Sequence, residues 1–282
     1  MADAADAPLL PTDPEFGRLF DELPLWSAPF GLQLLERVPL GTGLTILDVG
    51  AGTGFLTLEL AQRCGAGTRV IAVDPWPAAA RRLRWKLDQL GLGNVEVLER
   101  DAVDTGLADE SVDVLVSNLG LNNFEDSAAV LAELARVARP GASFILTSNV
   151  EGHMAELYEV FGATLARLGQ QERLEQLAAH TAHRGSVDSI TRDLAAAGFS
   201  TVDSVDADRF CLRYADGRAL LNHWFIRLGF LDGWRAIADP ERVDETMAAL
   251  ERDLDDLAAL CGELRLTIPS VCVVARRDQP AG

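Results

Sequence analysis

Hydrophobic residues follow two rhythms along this chain. Short runs rich in Val, Ile and Leu occupy 44–49, 69–74, 95–99, 112–117 and 143–148. Between them, near 54–64, 77–90 and 125–138, apolar residues recur every three or four positions and the stretches end on Gly or Pro. Short β-branched runs read as strands, the longer period reads as helix, and their regular alternation predicts a parallel sheet covered by helices. The expected fold class is α/β, with a doubly wound sheet.

After residue 150 the rhythm changes. Residues 152–168 and 171–180 read as successive helices with no strand between them, which predicts an insertion. Ser186 or Asp188 can then cap a helix whose Ile190, Leu194 and Ala197 share a face before Gly198 stops it, and a strand is expected at 200–206. Two more helical stretches follow. Leu220, Leu221, Trp224, Phe225 and Leu228 share helical spacing in the first, and Val243, Met247, Leu250, Leu254 and Leu257 form an apolar stripe in the second, opposite many acids. A Val-rich run at 266–276 closes the chain as a final strand, so the sheet is expected to be mostly parallel and seven-stranded, with helical caps inserted. The expected divisions are an N-terminal helical lid segment at 1–40, an α/β core at 41–150, a cap at 151–185, a core continuation at 186–210, a second cap at 211–265, and a final strand and tail at 266–282.

Charge narrows the partners. Against 25 basic residues stand 43 acidic ones, a net charge of -18, and such a surface is ill suited to hold a phosphate backbone. No nucleic acid is expected. No apolar run approaches the roughly 20 residues that span a bilayer, so membrane insertion is not expected either. The acidic start, Met1 to Ala7, lacks the basic and apolar stretches of a secretory signal and reads as a short disordered tail. Cys64, Cys211, Cys261 and Cys272 are scattered without a CxxC pair, which suggests neither a disulfide framework nor a thiolate zinc site. A cytoplasmic setting without a bound metal is the expectation. A homodimer remains open.

The densest chemical signal is Asp48-Val49-Gly50-Ala51-Gly52-Thr53-Gly54-Phe55, which follows a predicted strand and opens a predicted helix. Glycines are needed where backbone turns sharply and a ligand comes close, and Gly50, Gly52 and Gly54 give that clearance. A dinucleotide turn of the form G-x-G-x-x-G requires glycine at position 55, where this chain has Phe55. With an acid two residues ahead of the first glycine, the G-x-G-x-G spacing resembles the cofactor motif of Rossmann-like S-adenosylmethionine-dependent methyltransferases. The resemblance extends across the sheet region, and the overall look is similar to the ubiquinone and menaquinone methyltransferase group.

That resemblance implies S-adenosyl-L-methionine as cofactor and assigns roles to several residues. Asp48, Gly50, Ala51, Gly52 and Gly54 form the turn. Asp74, at a strand end, can accept hydrogen bonds from both ribose hydroxyls, while Pro75 and Trp76 follow it and Trp76 can lie against adenine. An acid at the position of Asp101 binds the adenine amino group in this family, and the backbone of Ala102 meets a ring nitrogen. The loop from Ser117 and Asn118 to Asn122, Asn123 and Phe124 lies beside the methyl group in the family's architecture, its first residues facing the methionine part and its later ones the substrate. Leu119-Gly120 stands where amino-methylating enzymes of nucleobases and glutamine carry two prolines, which lowers the weight of that chemistry. Arg139-Pro140-Gly141-Ala142 resembles a structural turn of the family.

Methyl transfer is a displacement at a carbon already activated by a sulfonium, so alignment dominates and a base is needed only if the nucleophile must lose a proton. His153 is the best-placed catalytic candidate, ahead of His180, His183 and His223. Phe20, Trp26, Asn122, Asn123, Phe124, His153 and Trp224 are the candidates for substrate contact. Phe16, Phe20, Trp26 and Phe30 before the sheet, with Phe210, Tyr214, Trp224, Phe225 and Trp234 near its end, form aromatic segments that either line an apolar pocket or dock cap helices on the core. The acceptor pocket is expected between the carboxyl ends of the strands and these caps. The leading reading is a methyltransferase acting on an oxygen, carbon or nitrogen atom of a partly apolar small molecule. The alternative is a non-catalytic or regulatory module that keeps the cofactor fold.

Overall fold

The structure is a computed structural model and describes residues 13–23, 25–182 and 184–279. The acidic N-terminal segment and His183 lie outside the described residues. In chain order the elements are α1 (Pro14–Asp21), α2 (Ala28–Leu35), β1 (Thr45–Val49), α3 (Phe55–Cys64), β2 (Arg69–Val73), α4 (Pro77–Leu90), β3 (Val95–Leu98), β4 (Val112–Asn118), α5 (Ser127–Val137) and β5 (Ala138–Asn149). Then come α6 (Ala155–Arg167), α7 (Leu174–Ala182), α8 (Val187–Ala196), β6 (Thr201–Tyr214), α9 (Gly217–Asn222), α10 (Trp224–Gly229), α11 (Leu231–Ile237), α12 (Val243–Cys261) and β7 (Leu264–Arg276).

All seven strands belong to one sheet in the order β3-β2-β1-β4-β5-β7-β6. The pairings β3 with β2, β2 with β1, β1 with β4 and β4 with β5 are parallel. The chain winds outward from β1 to β3 and then returns to start again at β4, so β1 and β4 flank the switch point where open α/β sheets bind ligands. The fold is the α/β sheet that the alternation predicts.

The chain divides into two compact units. The first holds the residues up to 148, 187–206 and those from 271 on. Its strands are apolar on both faces: α2 and α3 bury Leu34, Leu35, Leu56 and Leu60 against Ile46, Val114 and Val116, while α4 sets Leu83 and Leu87 against Ala51 and Ala72. Helix α4 starts on Pro77, whose missing N–H costs nothing in a first turn, and stops at Gly91 in the left-handed region. Strand β5 begins five residues before the run expected at 143–148. Val112 pairs with Ala138 and Val114 with Ser143, so the Arg139-Pro140-Gly141-Ala142 segment is taken up as an irregularity inside the strand rather than as a turn before it.

The second unit holds 149–186 and 207–270. Its longest helix, α12, buries Met247, Leu250, Leu254 and Ala258, with Val243 and Leu257 half-buried, along the expected stripe. The single helix expected around 220–228 is two. His223 adopts an extended backbone, so α9, capped by Asp216 accepting from the Ala219 N–H at 2.6 Å, ends there and α10 begins at Trp224. Strand β6 runs on to Tyr214, so the second helical segment starts later than the expected 211.

Candidate active site

A cavity of about 300 Å³ opens at the carboxyl ends of β1 and β4, within the first unit. Its wall is assembled from the turn after β1 (Gly50 to Thr53), the end of β2 (Asp74, Pro75, Trp76), the end of β4 (Asn118 to Gly120), Asn123, Phe124 and the N-terminal helices (Phe20, Trp26, Ser27).

The glycines of the turn have different tasks. Gly52 has a positive φ of 53°, and a Cβ built there would meet nothing within 4 Å, so its absent side chain leaves open space on the cavity wall. Gly54 caps α3 in the left-handed region, and a Cβ there would lie 2.2 Å from Leu83 Cδ1. Its constraint is helix packing rather than ligand clearance, and Gly54 does not line the cavity.

Two carboxylates face this space. Asp74 Oδ2 accepts from the Gly52 N–H at 2.7 Å and Oδ1 from the Trp76 N–H at 2.9 Å, which ties the glycine turn to the end of β2. Burial raises the Asp74 carboxyl above its usual range, and these two backbone donors offset only part of that. Asp48 is buried, 1% exposed, and accepts a hydrogen bond from Thr57 Oγ1 at 2.6 Å. Burial, with the nearby Asp74 charge as a smaller contribution, pushes its carboxyl up to about 7. Among the described residues, the lining side chains include no Lys, Arg or His. Two acids without a base suit a cationic ligand and oppose a diphosphate, which needs positive charge or a phosphate-directed helix N-terminus free of acids.

Aromatic residues close the side formed by α1. Trp76 meets Phe16 and Phe20 in T-shaped contacts at 5.6 and 5.8 Å between ring centres, and Trp26 packs on Phe30 at 5.7 Å. Phe16 and Phe30 are buried core residues, whereas Phe20 and Trp26 reach the cavity. At the end of β4, Asn118 Nδ2 donates to the Ser27 carbonyl at 3.3 Å while its Oδ1 accepts from Thr147 Oγ1 at 2.7 Å. Leu119 takes a positive φ of 66°, a costly conformation for a branched side chain, and its N–H donates to the Thr147 carbonyl at 3.0 Å.

Residues 47–146 match the family model described as a methyltransferase domain. Over 270 residues the chain is 30% identical to nocamycin O-methyltransferase of Saccharothrix syringae, covering 90% of this chain and 92% of that one. The chain belongs to the S-adenosylmethionine-dependent methyltransferase family. It is also 28% identical over 171 residues to a ubiquinone/menaquinone biosynthesis C-methyltransferase of Idiomarina loihiensis, covering 57% of this chain and 68% of the relative. In fold it is similar to the phosphoethanolamine N-methyltransferase 2 of Haemonchus contortus in complex with S-adenosyl-L-methionine, with a TM-score of 0.53 at 17% identity over 88% of this chain and 52% of the other. The protein is thus an enzyme that uses S-adenosylmethionine on small molecules. Among the described residues, no helix of this methyltransferase is long and apolar enough to cross a membrane.

The cavity brings together most of the expected cofactor residues: Asp48, Gly50, Ala51, Gly52, Asp74, Pro75, Trp76 and Asn118, along with Phe20, Trp26, Asn123 and Phe124. It does not include Asp101, Ala102, Ser117 or Asn122. Asp101 is exposed and accepts from the Val103 N–H at 3.0 Å, Ala102 is buried, Ser117 Oγ donates to the Val49 carbonyl at 2.9 Å, and Asn122 Nδ2 donates to Ser148 Oγ at 2.8 Å. His153 and Trp224 belong to the second unit. His153 is 3% exposed, with Nδ1 3.1 Å from Asn149 Nδ2, and burial followed by the fields of Arg184 and His180 pushes it down to about 2. An imidazole that binds a proton so weakly gives no support to a role as base. Trp224 is 46% exposed, with the Arg227 guanidinium 4.9 Å from its ring.

Sequence reasoning missed Ser27, Thr53, Phe55, Leu56, Leu119 and Gly120 as lining residues. Thr53, Phe55 and Gly120 stood inside the motifs already singled out. Leu119 stood in the loop after β4 that was also singled out, but its left-handed backbone, with its N–H donating to the Thr147 carbonyl, carries no local sequence signal.

Proposed function

We propose that this cavity holds S-adenosylmethionine and that the acceptor is a partly apolar small molecule methylated on oxygen, carbon or nitrogen. When bound, that cofactor supplies an electrophilic methyl group on a sulfonium. Asp74 would accept the ribose hydroxyls, Trp76 and Phe20 would border the adenine, and Gly52 would leave room for the nucleoside beside the turn. Asp48 supplies latent negative charge below a cation, and Phe20, Trp26 and Phe124 exclude water from the reacting end. The observation that carries this reading is the lining itself: two carboxylates, an open glycine position and, among the described residues, no basic side chain.

A second cavity of about 250 Å³ shares Phe20, Ser27, Thr53 and Phe55 with the first and supports an acceptor route past α1. Four free thiols are in keeping with a cytoplasmic enzyme, and a net charge of -18 with a protein that leaves nucleic acids alone. Calorimetry on Gly52→Ala tests the assignment. The added methyl group meets no atom within 4 Å, and the positive φ of 53° costs Ala about 1 kcal/mol, so the variant should fold with slightly lower stability; S-adenosylhomocysteine should bind about tenfold or more weakly, and NAD should bind neither protein. Equal affinity in the variant and the parent would move the cofactor out of this cavity.

A further inference from the structure

S-adenosylmethionine brings a negative group as well as a sulfonium: the carboxylate of its methionine part. The cofactor cavity is suited to the positive charge and not to the negative one. Its charged lining consists of Asp48 and Asp74, and two acids repel a carboxylate as surely as they favour a cation. Taking a carboxylate out of water without a positive partner is costly, so the ligand calls for a cation close by.

The second cavity adjoins the first through Phe20, Ser27, Thr53 and Phe55, lies in the same unit, and carries Lys86 of α4 on its wall. Among the described residues, Lys86 is the one basic side chain in the lining of these two cavities. Its ammonium donates to Asp21 Oδ1 at 2.6 Å, and Asp21 is in turn hydrogen-bonded to Thr53. A single carboxylate therefore stands between the cation and the wall that both cavities share. That carboxylate also serves Arg82, whose Nε donates to Oδ2 at 2.8 Å, so two cations share one acid and a positive charge is left over. Burial pulls the Lys86 ammonium below its ordinary value, Asp21 offsets this only in part, and the Arg82 charge adds to it. One of its three hydrogens is committed to Asp21, and among the described residues no second acceptor meets it. Glu59, the other acid on this lining, is turned to Arg63 at 2.8 Å. We propose that Lys86 binds the methionine carboxylate of S-adenosylmethionine at the junction of the two cavities, with the Ser27 hydroxyl on the shared wall as a further donor. The inference rests on the cofactor reading above and makes the site selective for an intact amino-acid end. Held at its carboxylate, the methionine arm is fixed in direction, and the methyl group on its sulfur with it. Leu23 and Leu58, elsewhere on the second lining, are left to the acceptor route past α1.

The test is calorimetry on the whole protein with two ligands: S-adenosylhomocysteine and its decarboxylated analogue, which keeps the nucleoside, the sulfur and the amino group. The parent should bind S-adenosylhomocysteine about tenfold more tightly than the analogue. Lys86→Met keeps the apolar stem and leaves Asp21 paired with Arg82, so it should fold; Lys86→Gln takes its place should methionine prevent folding. The variant should lose the preference by weakening S-adenosylhomocysteine alone, and Lys86→Arg should restore part of it. A preference that survives without Lys86 overturns the proposal and puts the carboxylate on other donors. Equal weakening of both ligands overturns it too, since Lys86 would then act only through Asp21 and the shape of the turn. A parent that binds both ligands equally well overturns this inference and leaves the cofactor reading standing, whereas a parent that binds neither overturns both.

Discussion

Asp48 illustrates how one residue links strand, turn and ligand. It is the fourth residue of β1, paired with Ala72 on one side and Val116 on the other, so it cannot leave the sheet without breaking two pairings. Its carboxyl, pushed up to about 7, favours the protonated form in the folded chain. A carboxyl whose pKa rises on folding stabilises the fold below its ordinary value, and that stabilisation is lost as pH climbs through the folded value. Asp48→Asn mimics the protonated form at every pH. Its Tm relative to the parent should therefore increase between pH 5 and pH 8, as the parent alone comes to bear a buried charge. A constant difference across that range would show that Asp48 titrates like a surface acid.

At the scale of elements, α1 is fastened to the cofactor turn through one side chain. Asp21, at the end of α1, pairs with Lys86 at 2.6 Å and Arg82 at 2.8 Å, both on α4, and is also hydrogen-bonded to Thr53 in the glycine turn. Burial would raise its carboxyl, but the hydrogen bonds from Lys86 and Arg82 more than offset this and hold it below its ordinary value. Asp21→Asn leaves Lys86 half-buried with a weaker partner and loosens Thr53. Chemical denaturation should show a loss on the order of 2 kcal/mol, and S-adenosylhomocysteine should bind several-fold more weakly. Full affinity with reduced stability would make Asp21 a packing residue that does not shape the turn. The aromatic residues of α1 and its surroundings were legible as a group in the sequence, but the Asp21 contact was not: it joins residues 61 and 65 positions apart, and no local pattern marks it.

For the whole molecule, charge is the property with the longest reach. A net charge of -18 sets acids against one another across the surface, while most ion pairs are exposed contacts such as Arg63 with Glu59. Salt weakens both, but unevenly. The Debye length falls to about 10 Å at 0.1 M, so distant repulsions are screened before contact pairs are. Raising NaCl from 10 to 200 mM should therefore raise Tm by a few degrees, in a buffer without phosphate or other specific anions. A fall would mean that the exposed ion pairs outweigh the net repulsion.

What the sequence determined by itself was periodic or local. Strands and helices alternate at the spacing of their apolar residues, and the glycine turn and the acids near it lie within thirty positions of one another, so the α/β class, the cofactor and most of the cavity wall were legible. Tertiary structure decided what depends on residues distant in the chain. The pairing of β4 with β5 drew Arg139 to Ala142 into a strand, and Leu119, its N–H donating to the Thr147 carbonyl, took a left-handed backbone. The approach of α4 to α3 turned Gly54 from ligand clearance to helix packing. Asp101 kept its place after β3 yet turned its carboxylate to its own backbone, and His153 lost its basicity to burial. Motifs specify which groups stand near a strand end; whether a group faces a ligand, a backbone amide or the core depends on neighbours that only folding brings into contact.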